Sequence, residues 1–386
     1  MQIEGTWLQQ PAVTKLFSAI RAAGGEVRFV GGCVRDAVLG RAIGDFDLAT
    51  TLVPEAVVQA CEAAGFKVVP TGLKHGTVTV ICASVVFEVT TLRRDVRTDG
   101  RHAEVVYTDN WQEDAARRDF TMNALFCDAS GEVTDFFGGV EDAKAGRVRF
   151  VGDPETRIRE DVLRILRFSR FFACYGQGEP DEAGLAACRT LVPLLPHLST
   201  ERVRTELLKT LAAADPVPVW RLMVEIGVFE TLNLPLTNLE RLAGAVAFEK
   251  ACGQADPLRR LWAVWTEAGA IGAALKLSNA EAARIKALCP LPQTDSPFRL
   301  AYERGVQLAV DALILSGKAE ASQLKELQNW SRPVFPLNGK DAVTLGFSPD
   351  AAMGKALKAV EAWWVEADFA PSREACLAEL ARQSRT

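Results

Sequence analysis

The sequence lacks the features that mark several large classes of protein. It has only three histidines, and none of its nine cysteines lies in a CxxC pair, so we expect no Cys/His zinc site. No apolar run approaches the roughly 18 residues of a membrane-spanning helix, and we expect no membrane partner. The segment MQIEGTWLQQ has no secretory signal pattern. With an odd number of cysteines, this predicts reduced thiols in a cytoplasmic protein.

Neither sign of charge dominates. The formal net charge is −5, which argues against indiscriminate binding of polyanions. It leaves room for a local basic groove. Hydrophobic residues make up 48% of the chain, which excludes a disordered protein and provides for a core. The length predicts roughly two or three domains.

The periodicity of apolar residues changes along the chain. Up to about residue 150, helical patterns alternate with short strand-like runs, which predicts a mixed α/β region. From about Asp153 onward, every apolar stretch has helical spacing. We therefore predict an α/β region followed by an all-α remainder. The patterns predict helices over 11–23, 34–39 and 54–64, and strands over 26–30, 46–49, 75–81 and 85–91.

The most informative segment joins a strand to two glycines and a short helix. The strand predicted over 26–30 ends at Gly31 and Gly32, and the following helix carries Arg35 in its first turns. Glycines let the backbone approach a ligand closely, and free N–H groups at a helix start favour phosphate. A forked arginine donor adds a further phosphate contact. The pattern predicts a triphosphate site.

Two carboxylates follow in the next predicted strand. Asp45 and Asp47 are two residues apart, so both side chains point to one face. Two carboxylates facing a phosphate site suit Mg²⁺, which activates an attacking hydroxyl and stabilises departing pyrophosphate. Glu88, on a neighbouring hairpin strand, is the best candidate for a third carboxylate, although an exposed strand residue fits the same pattern. Singly, Gly-Gly is usually a turn and Asp-x-Asp a solvated loop; their order and spacing favour a site.

In this order, the motifs resemble the class II nucleotidyltransferases of the DNA polymerase beta superfamily. These are the CCA-adding enzymes and the bacterial poly(A) polymerases. The resemblance covers residues 26–172 almost continuously. Its further motifs are EVTTLR at 88–93, DGRHAE at 99–104, DAARRDFTMN at 114–123, DFFGG at 135–139 and REDVLRILR at 159–167.

The resemblance implies a fold and a division of the chain. The expected fold is an α/β nucleotidyltransferase head, a small mixed sheet with helices, followed by an all-α neck, body and tail. The expected parts are the catalytic head over 1–145, a neck with the base-reading helix over 146–215, a body over 216–300 and a tRNA-binding tail over 301–386.

The resemblance also implies roles for the element Arg117-Arg118-Asp119. Arg118 would contact the triphosphate, Asp119 would accept a hydrogen bond from a ribose hydroxyl, and Asn123 would belong to the same nucleotide site. Without the other motifs, an exposed charge cluster on a helix is the plainer interpretation. Upstream, residues 93–109 are charged and poor in apolar side chains, which predicts a mobile loop. In CCA-adding enzymes a flexible loop in the equivalent place helps switch the pocket from CTP to ATP.

A third constellation lies on one helix predicted over 157–173. Asp161, Arg164, Arg167 and Arg170 recur at intervals of three and form a drifting stripe. A carboxylate accepts and a guanidinium donates, so an Asp–Arg pair matches the edges of cytosine and adenine, whereas uracil and guanine present the reverse order. The plainer interpretation is a surface helix laced with salt bridges.

The resemblance agrees with base reading at this element. It implies that Asp161 and Arg164 choose the base and that Glu160 braces Arg164 through an i,i+4 contact. Arg167 and Arg170 would complete the nucleotide pocket.

Two later segments are less specific. Ser199 or Thr200 is predicted to cap a helix that resembles the neck element and orients the base-reading helix. Ser348-Pro349-Asp350 predicts a helix start near Lys340 and Lys355, where amides and lysines could hold an RNA phosphate. A capped structural helix explains this segment equally well.

We predict a CCA-adding enzyme that uses CTP and ATP, with tRNA as its partner; the sequence predicts no oligomeric state. A poly(A) polymerase shares nearly every head motif, but the neutral C-terminal half speaks against it. Two further candidates are a CC-adding or A-adding specialist and a catalytically silent RNA-binding relative. The 93–109 segment argues against the CC-only specialist, and the presence of both Asp45 and Asp47 argues against the silent relative.

Overall fold

The structure, a computed structural model, describes residues 1–72, 76–82, 85–99, 102–235, 238–253, 255–265, 268–293, 296–317 and 320–383. The chain forms two compact units, Met1–Leu234 and Pro235–Thr386. The four-part division is finer and stays a prediction; residues 216–234, assigned to the body, lie in the first unit. Within the described ranges, every helix is too short or too polar to cross a membrane.

A seven-stranded mixed sheet forms the centre of the first unit. Its order is β3-β4-β5-β2-β1-β8-β9, and β2 and β5 are parallel while the other neighbours are antiparallel. This confirms the predicted small mixed sheet. The predicted hairpin is β4 and β5, although His75 lies outside the described residues. The strands are β1 Val27–Val30, β2 Phe46–Thr50, β3 Lys67–Gly72, β4 Thr77–Cys82, β5 Val85–Thr91, β8 Leu125–Cys127 and β9 Val133–Asp135.

Helices cover the sheet, and no strand follows β9 in the described residues. The predicted helices over 11–23, 34–39 and 54–64 are confirmed to within two residues at each end. The helices of this unit are α1 Pro11–Ala22, α2 Gly32–Val38, α3 Pro54–Ala63, α4 Trp111–Ala116, α5 Gly139–Lys144, α6 Pro154–Glu160, α7 Arg164–Tyr175, α8 Glu182–Leu191, α9 Thr200–Leu211, α10 Val217–Glu225 and α11 Val228–Thr231.

The alternation of side chains along the strands decides which residues reach the core. Phe29 and Leu48 pack on one face with the apolar stripes of α1 and α3. Their neighbours Val30 and Ala49 pack on the other face, in a cluster with Trp111. Because side chains alternate along a strand, the side chain of Asp47, two positions before Ala49, projects from this second face as well.

Most of the described residues between 93 and 109 form a ribbon, so the prediction of a loop is wrong for them. Strands β6 Arg93–Asp99 and β7 His102–Tyr107 pair antiparallel as a separate two-stranded sheet. Backbone hydrogen bonds pair these two strands. The sequence shows no regular polar–apolar alternation that would have predicted them. The proposed switching role of this segment stays a prediction.

All the regular secondary structure in the described residues of the second unit is helical. One apolar cluster joins α12, α13 and α15–α18, and another joins α19–α21 with Tyr302 of α16. The helices are α12 Leu239–Cys252, α13 Pro257–Val264, α14 Ala268–Ala274, α15 Asn279–Ala287, α16 Pro297–Arg304, α17 Val306–Leu315, α18 Ala321–Gln328, α19 Gly339–Thr344, α20 Ala351–Glu366 and α21 Arg373–Gln383.

A buried ion network crosses this unit. Asp311, on α17, is 0% exposed and accepts from Arg259 Nε at 2.9 Å and from Arg284 Nε at 2.7 Å. Arg259 also donates to Glu249 at 2.7 Å. Charges removed from water in this way need their partners, so the network ties α12, α13, α15 and α17 together.

We expect Asp311→Asn to lower the free energy of unfolding by about 3–5 kcal/mol, because it leaves buried arginine charge without its carboxylate. Urea denaturation measures the change. Asp368→Asn is the matched control: its pair with Arg299 leaves the Asp368 side chain 57% exposed, and we expect a loss of at most about 1 kcal/mol. Equal losses in the two variants would contradict the prediction.

Candidate functional site

The predicted carboxylates meet at one end of the sheet. Strands β2 and β5 are parallel with Asp47 beside Glu88 in register, so both side chains leave the same face. Burial raises the pKa of the Asp47 carboxyl, and the nearby Glu88 and Asp45 carboxylates raise it further, while Arg118 lowers it. Carboxylates therefore outnumber the cations around Asp47.

Such a site suits a divalent cation with oxygen ligands. In the described part of the chain, no group of three or more acidic, histidine or cysteine side chains is arranged to hold an ion by itself. Asp45 and Asp47 would thus supply two carboxylates, and the other ligands would be substrate oxygens and water, as Mg²⁺ prefers.

Gly31 forms the tight turn between β1 and α2. Its φ of 74° and ψ of −123° lie in a region that residues with a Cβ avoid. A Cβ there would lie 3.4 Å from Nη1 of Arg118. Among the described residues, no side chain caps the N-terminus of α2. The turn therefore brings backbone amides and a guanidinium together, as a phosphate site requires.

We expect Gly31→Ala to reduce both stability and nucleotide affinity. The strained backbone costs about 1–3 kcal/mol, and the added methyl group would touch Arg118 and occupy space beside its guanidinium. Urea denaturation and the KM for CTP measure the two effects. Gly40→Ala is the control, because Gly40 has φ 65° and nothing within 4 Å of its Cβ position. An equal rise in KM in both variants would show that the contact with Arg118 plays no part.

Arg118 has donor capacity that the described residues do not use. Its Nη2 donates to Asp114 Oδ2 at 2.8 Å, and its CZ lies 5.4 Å from the centroid of Phe126. Its Nε is buried without a hydrogen-bond partner in the described chain. A buried donor beside the glycine turn is costly unless a ligand accepts from it. This observation supports the predicted triphosphate contact.

Asp114, which the sequence reasoning missed, holds both arginines of the 117–119 element. It is 1% exposed and accepts from Arg117 Nη2 and Arg118 Nη2, each at 2.8 Å, and from the backbone N–H of Arg93 at 3.3 Å. Burial alone would raise the pKa of Asp114, but Arg118 and Arg117 lower it below its usual range. The available signal was an acid on a helix three and four residues before two arginines, which follow directly after that helix.

A hydrogen-bond chain joins α2 to α7. Arg35 Nη1 donates to Asn123 Oδ1 at 2.6 Å, and Asn123 Nδ2 donates to Asp119 Oδ1 at 3.0 Å. Arg167 donates to Asp119 Oδ2 from Nε at 2.7 Å and also from Nη2. Burial alone would raise the pKa of Asp119, but Arg167 and Asn123 lower it. Four of the predicted nucleotide-binding residues are therefore in contact.

Asp119 has no spare lone pair in this arrangement. The backbone N–H of Phe120 also donates to its Oδ1, at 2.9 Å, so each carboxylate oxygen accepts two hydrogen bonds. A contact with a ribose hydroxyl would require one of these donors to move. That role of Asp119 stays a prediction.

The single helix predicted over 157–173 is wrong, because α6 ends at Glu160 and α7 begins at Arg164. Asp161 between them is extended, with φ −149° and ψ 104°, and its Oδ1 accepts from the Leu163 N–H at 3.1 Å. An aspartate that bonds the N–H two residues on competes with continuation of a helix. Asp161 and Arg164 remain neighbours, since the Arg164 N–H donates to the Asp161 carbonyl at 3.0 Å.

The base-reading candidates are each held by an ion pair. Arg202 of α9 donates to Asp161 Oδ2 at 2.7 Å, a contact that the sequence reasoning missed. Arg164 Nη1 donates to Glu160 Oε2 at 2.7 Å, which is the predicted i,i+4 contact. Both side chains are therefore oriented before any ligand binds.

One short segment connects the carboxylates to this pair. Arg164 Nη2 donates to the carbonyl of Arg117 at 3.0 Å. The next residue, Arg118, is the cation whose charge lowers the pKa of Asp47. The 117–119 segment thus lies between the two predicted halves of the site, both in the first unit.

Helix α9 also contacts α7. Arg170 Nε donates to Glu206 Oε2 at 2.6 Å, so this predicted pocket arginine is bound by an acid of α9. Ser199 occupies the N-cap position of α9, but its hydroxyl makes no hydrogen bond within the described chain. The predicted capping hydrogen bond is therefore absent.

In the second unit, the predicted helix start is confirmed. Asp350 caps α20 by accepting from the Ala352 N–H at 2.8 Å. Asn338 caps α19 by accepting from the Lys340 N–H at 2.9 Å, and Lys355 lies on α20. Because these caps use N–H groups that a phosphate would need, RNA binding here stays a prediction.

The chain is similar to known proteins along most of its length. The model for the poly A polymerase head domain matches residues 27–149, and the model for the probable RNA and SrmB-binding site of polymerase A matches residues 179–238. A Mus musculus protein, CCA tRNA nucleotidyltransferase 1, mitochondrial, is 34% identical over 91% of this chain and 86% of its own length. The CCA-adding enzyme of Geobacillus kaustophilus is 30% identical over 95% of each.

The solved structure of the Bacillus stearothermophilus CCA-adding enzyme in complex with CTP has a TM-score of 0.74 and 28% identity, and the match covers 97% of this chain and 98% of that one. The head model, the RNA-binding model and relatives of at least 30% identity along nearly the whole length agree with the motifs. This chain belongs to the class II CCA-adding nucleotidyltransferase family.

Proposed function

We propose that this protein adds C, C and A to the 3′ end of tRNA from CTP and ATP, without a nucleic-acid template, and releases pyrophosphate. The observation that carries the proposal is the contact of the 117–119 segment with both halves of the site. The charge of Arg118 lowers the pKa of Asp47, and the Arg117 carbonyl accepts a hydrogen bond from Arg164. Bond formation and base choice thereby belong to one site.

We propose that Asp45 and Asp47 hold Mg²⁺, with Glu88 as an additional carboxylate beside Asp47. The bound cation supplies activation of the tRNA 3′ hydroxyl and stabilises the pyrophosphate. The chain itself binds and orients the triphosphate. The backbone at Gly31 and Gly32 approaches it closely, and Arg118 and Arg35 donate to its oxygens.

Base choice is assigned to Asp161 and Arg164. The carboxylate accepts from the amino group of cytosine or adenine, and the guanidinium donates to the ring nitrogen beside it. Arg202 and the Leu163 N–H orient the carboxylate, and Glu160 orients the guanidinium. A keto base would leave buried polar groups unpaired, at about 1–3 kcal/mol each. Arg167 and Arg170 line the same pocket.

We retain the four-part division as part of this proposal, with the tail over 301–386 gripping tRNA near Lys340 and Lys355. A poly(A) polymerase is the second candidate, because the matched head model carries that name. A CC-adding or A-adding specialist would use the same head residues.

Incubation with a tRNA that lacks its 3′ CCA tests the proposal. With CTP alone we expect addition of two C residues. With ATP alone we expect no product of defined length, and with both nucleotides a complete CCA end. A tRNA that already ends in CCA is the control and should not be extended. Long A tails would identify a poly(A) polymerase, arrest after CC or acceptance of CC-ended tRNA alone would identify a specialist, and no addition would identify a silent relative.

We also propose a cytoplasmic location. Cys33, Cys61 and Cys188 are buried free thiols, which suits a reducing compartment. The mouse relative is named mitochondrial, so family membership does not fix the compartment. Fractionation of cells with organelle markers tests the proposal, and recovery in an organelle fraction would contradict it.

A further inference from the structure

The C-terminal end of α7 carries an aromatic pair to which the proposed reaction assigns no role. Phe171 and Tyr175 stack with ring centroids 5.7 Å apart. The CZ atom of Arg35 lies 5.4 Å from the Phe171 centroid and 4.0 Å from the Tyr175 centroid. Guanidinium groups stack favourably on aromatic faces. The end of α7 is therefore packed against an arginine assigned to the triphosphate.

Tyr175 also binds Arg35 through its hydroxyl, since Arg35 Nη2 donates to Tyr175 Oη at 2.6 Å. Burial raises the pKa of Tyr175, so the hydroxyl is neutral at physiological pH and accepts through its lone pairs. The same Nη2 lies 3.6 Å from the position that a Cβ would take on Gly32. Tyr175 therefore holds the arm of the guanidinium that borders the glycine turn.

The other partners of Arg35 leave part of the group available. Asp36 accepts from Nε and Nη2, each at 3.0 Å, and Asn123 accepts from Nη1 at 2.6 Å. With Tyr175, these described partners use four of the five N–H bonds of a guanidinium. The remaining N–H, on Nη1, can meet a ligand, and its direction depends on how the planar group is held.

A second arginine fixes the same ring from the segment after α2. The CZ of Arg41 lies 4.5 Å from the Tyr175 centroid, and its Nη1 donates to the Cys174 carbonyl at 3.2 Å. Tyr175 thus joins the helix that follows the glycine turn to the helix that begins with the base-reading Arg164. Movement of the end of α7 would turn Arg35 with it.

We infer that Tyr175 is a positioning residue for the incoming nucleotide, which holds Arg35 in the orientation that reaches the triphosphate whichever base it carries. The inference rests on the proposed triphosphate role of Arg35. Because the triphosphate is common to both substrates, Tyr175 acts equally on CTP and ATP. Discrimination against UTP and GTP does not depend on its hydroxyl.

Tyr175→Phe keeps the ring and removes the hydroxyl. We expect the KM for CTP and for ATP to rise together by about five- to tenfold, the effect of losing one ordinary hydrogen bond, with kcat and base discrimination little changed. Tyr302→Phe is the matched control, because its hydroxyl donates to Glu361 at 2.6 Å in the second unit. An unchanged KM, a rise for one nucleotide only, or a loss of base discrimination would overturn the inference.

A double-mutant cycle tests whether Tyr175 acts through Arg35. We expect Arg35→Ala to raise both KM values and Tyr175→Phe to add nothing in that background. Independent, additive effects would overturn the inference and leave the proposed function intact. An unchanged KM in Arg35→Ala alone would overturn the triphosphate role itself. Thermal unfolding checks each variant, and Arg35→Lys serves in the cycle if the alanine variant does not fold.

Discussion

Asp47→Asn is expected to abolish nucleotide incorporation while leaving tRNA binding largely intact. The amide keeps the shape of the side chain but removes one of the two carboxylates proposed to hold the cation. Metal activation is worth several kcal/mol, so the incorporation rate should fall by about a thousandfold or more. Single-turnover incorporation of labelled CTP measures the rate, and a gel-shift titration measures tRNA binding. Asp45→Ala should behave in the same way.

The structure separates this loss from unfolding. Burial and the Glu88 and Asp45 carboxylates raise the pKa of Asp47, so its negative charge destabilises the folded state. Removing that charge should leave the free energy of unfolding unchanged or larger. Glu141→Gln, at an exposed position on α5, makes the same change of charge in the head and should retain activity. Full incorporation by Asp47→Asn would remove the metal hypothesis.

Asp161→Ala is expected to relax base choice more than it weakens triphosphate binding. Without the carboxylate, nothing at that position favours an amino group over a keto group. Discrimination of CTP against UTP should fall by about tenfold to a hundredfold, the equivalent of one lost buried polar contact. Ratios of kcat/KM for the four nucleotides measure the change.

The control for this variant is Glu155→Gln. Glu155 lies on α6 and makes a long, exposed ion pair with Arg159, at 3.5 Å. The Glu155→Gln substitution removes one negative charge from the helix that precedes Asp161 and leaves Asp161 and Arg164 unchanged. If Asp161→Ala still rejects UTP and GTP as the parent protein does, the carboxylate does not read the base.

The sequence predicts the sheet and its carboxylates well, because the relevant signals are local. Alternation predicts a shared face for Asp45 and Asp47, although β2 itself begins at Phe46 and the shared face stays a prediction. A glycine pair at the end of a strand predicts the tight turn before α2. Parallel pairing of Asp47 with Glu88 is a long-range contact that no periodicity reveals. The hairpin pattern predicted that Glu88 lies on a neighbouring strand, which is confirmed, and its role as a third carboxylate stays a prediction.

The misplaced elements fail for physical reasons. The break at Asp161 contains no glycine or proline; it depends on a side chain that bonds the Leu163 N–H and on Arg202 from another helix. Strands β6 and β7 pair through their backbones, and their sequence has no regular polar–apolar alternation that would reveal the pairing. Asp114 is hidden for a third reason: a charged residue is normally expected at the surface, whereas two arginines compensate this one in the interior.

The contact between Arg202 and Asp161 bears on how such an enzyme could be re-engineered. Arg202 lies outside the matched head model, which ends at residue 149. If Asp161 and Arg164 choose the base as proposed, a graft of the head alone onto a relative would transfer nucleotide addition without transferring its base specificity. A variant library intended to add a different nucleotide to RNA should therefore randomise position 202 together with positions 161 and 164.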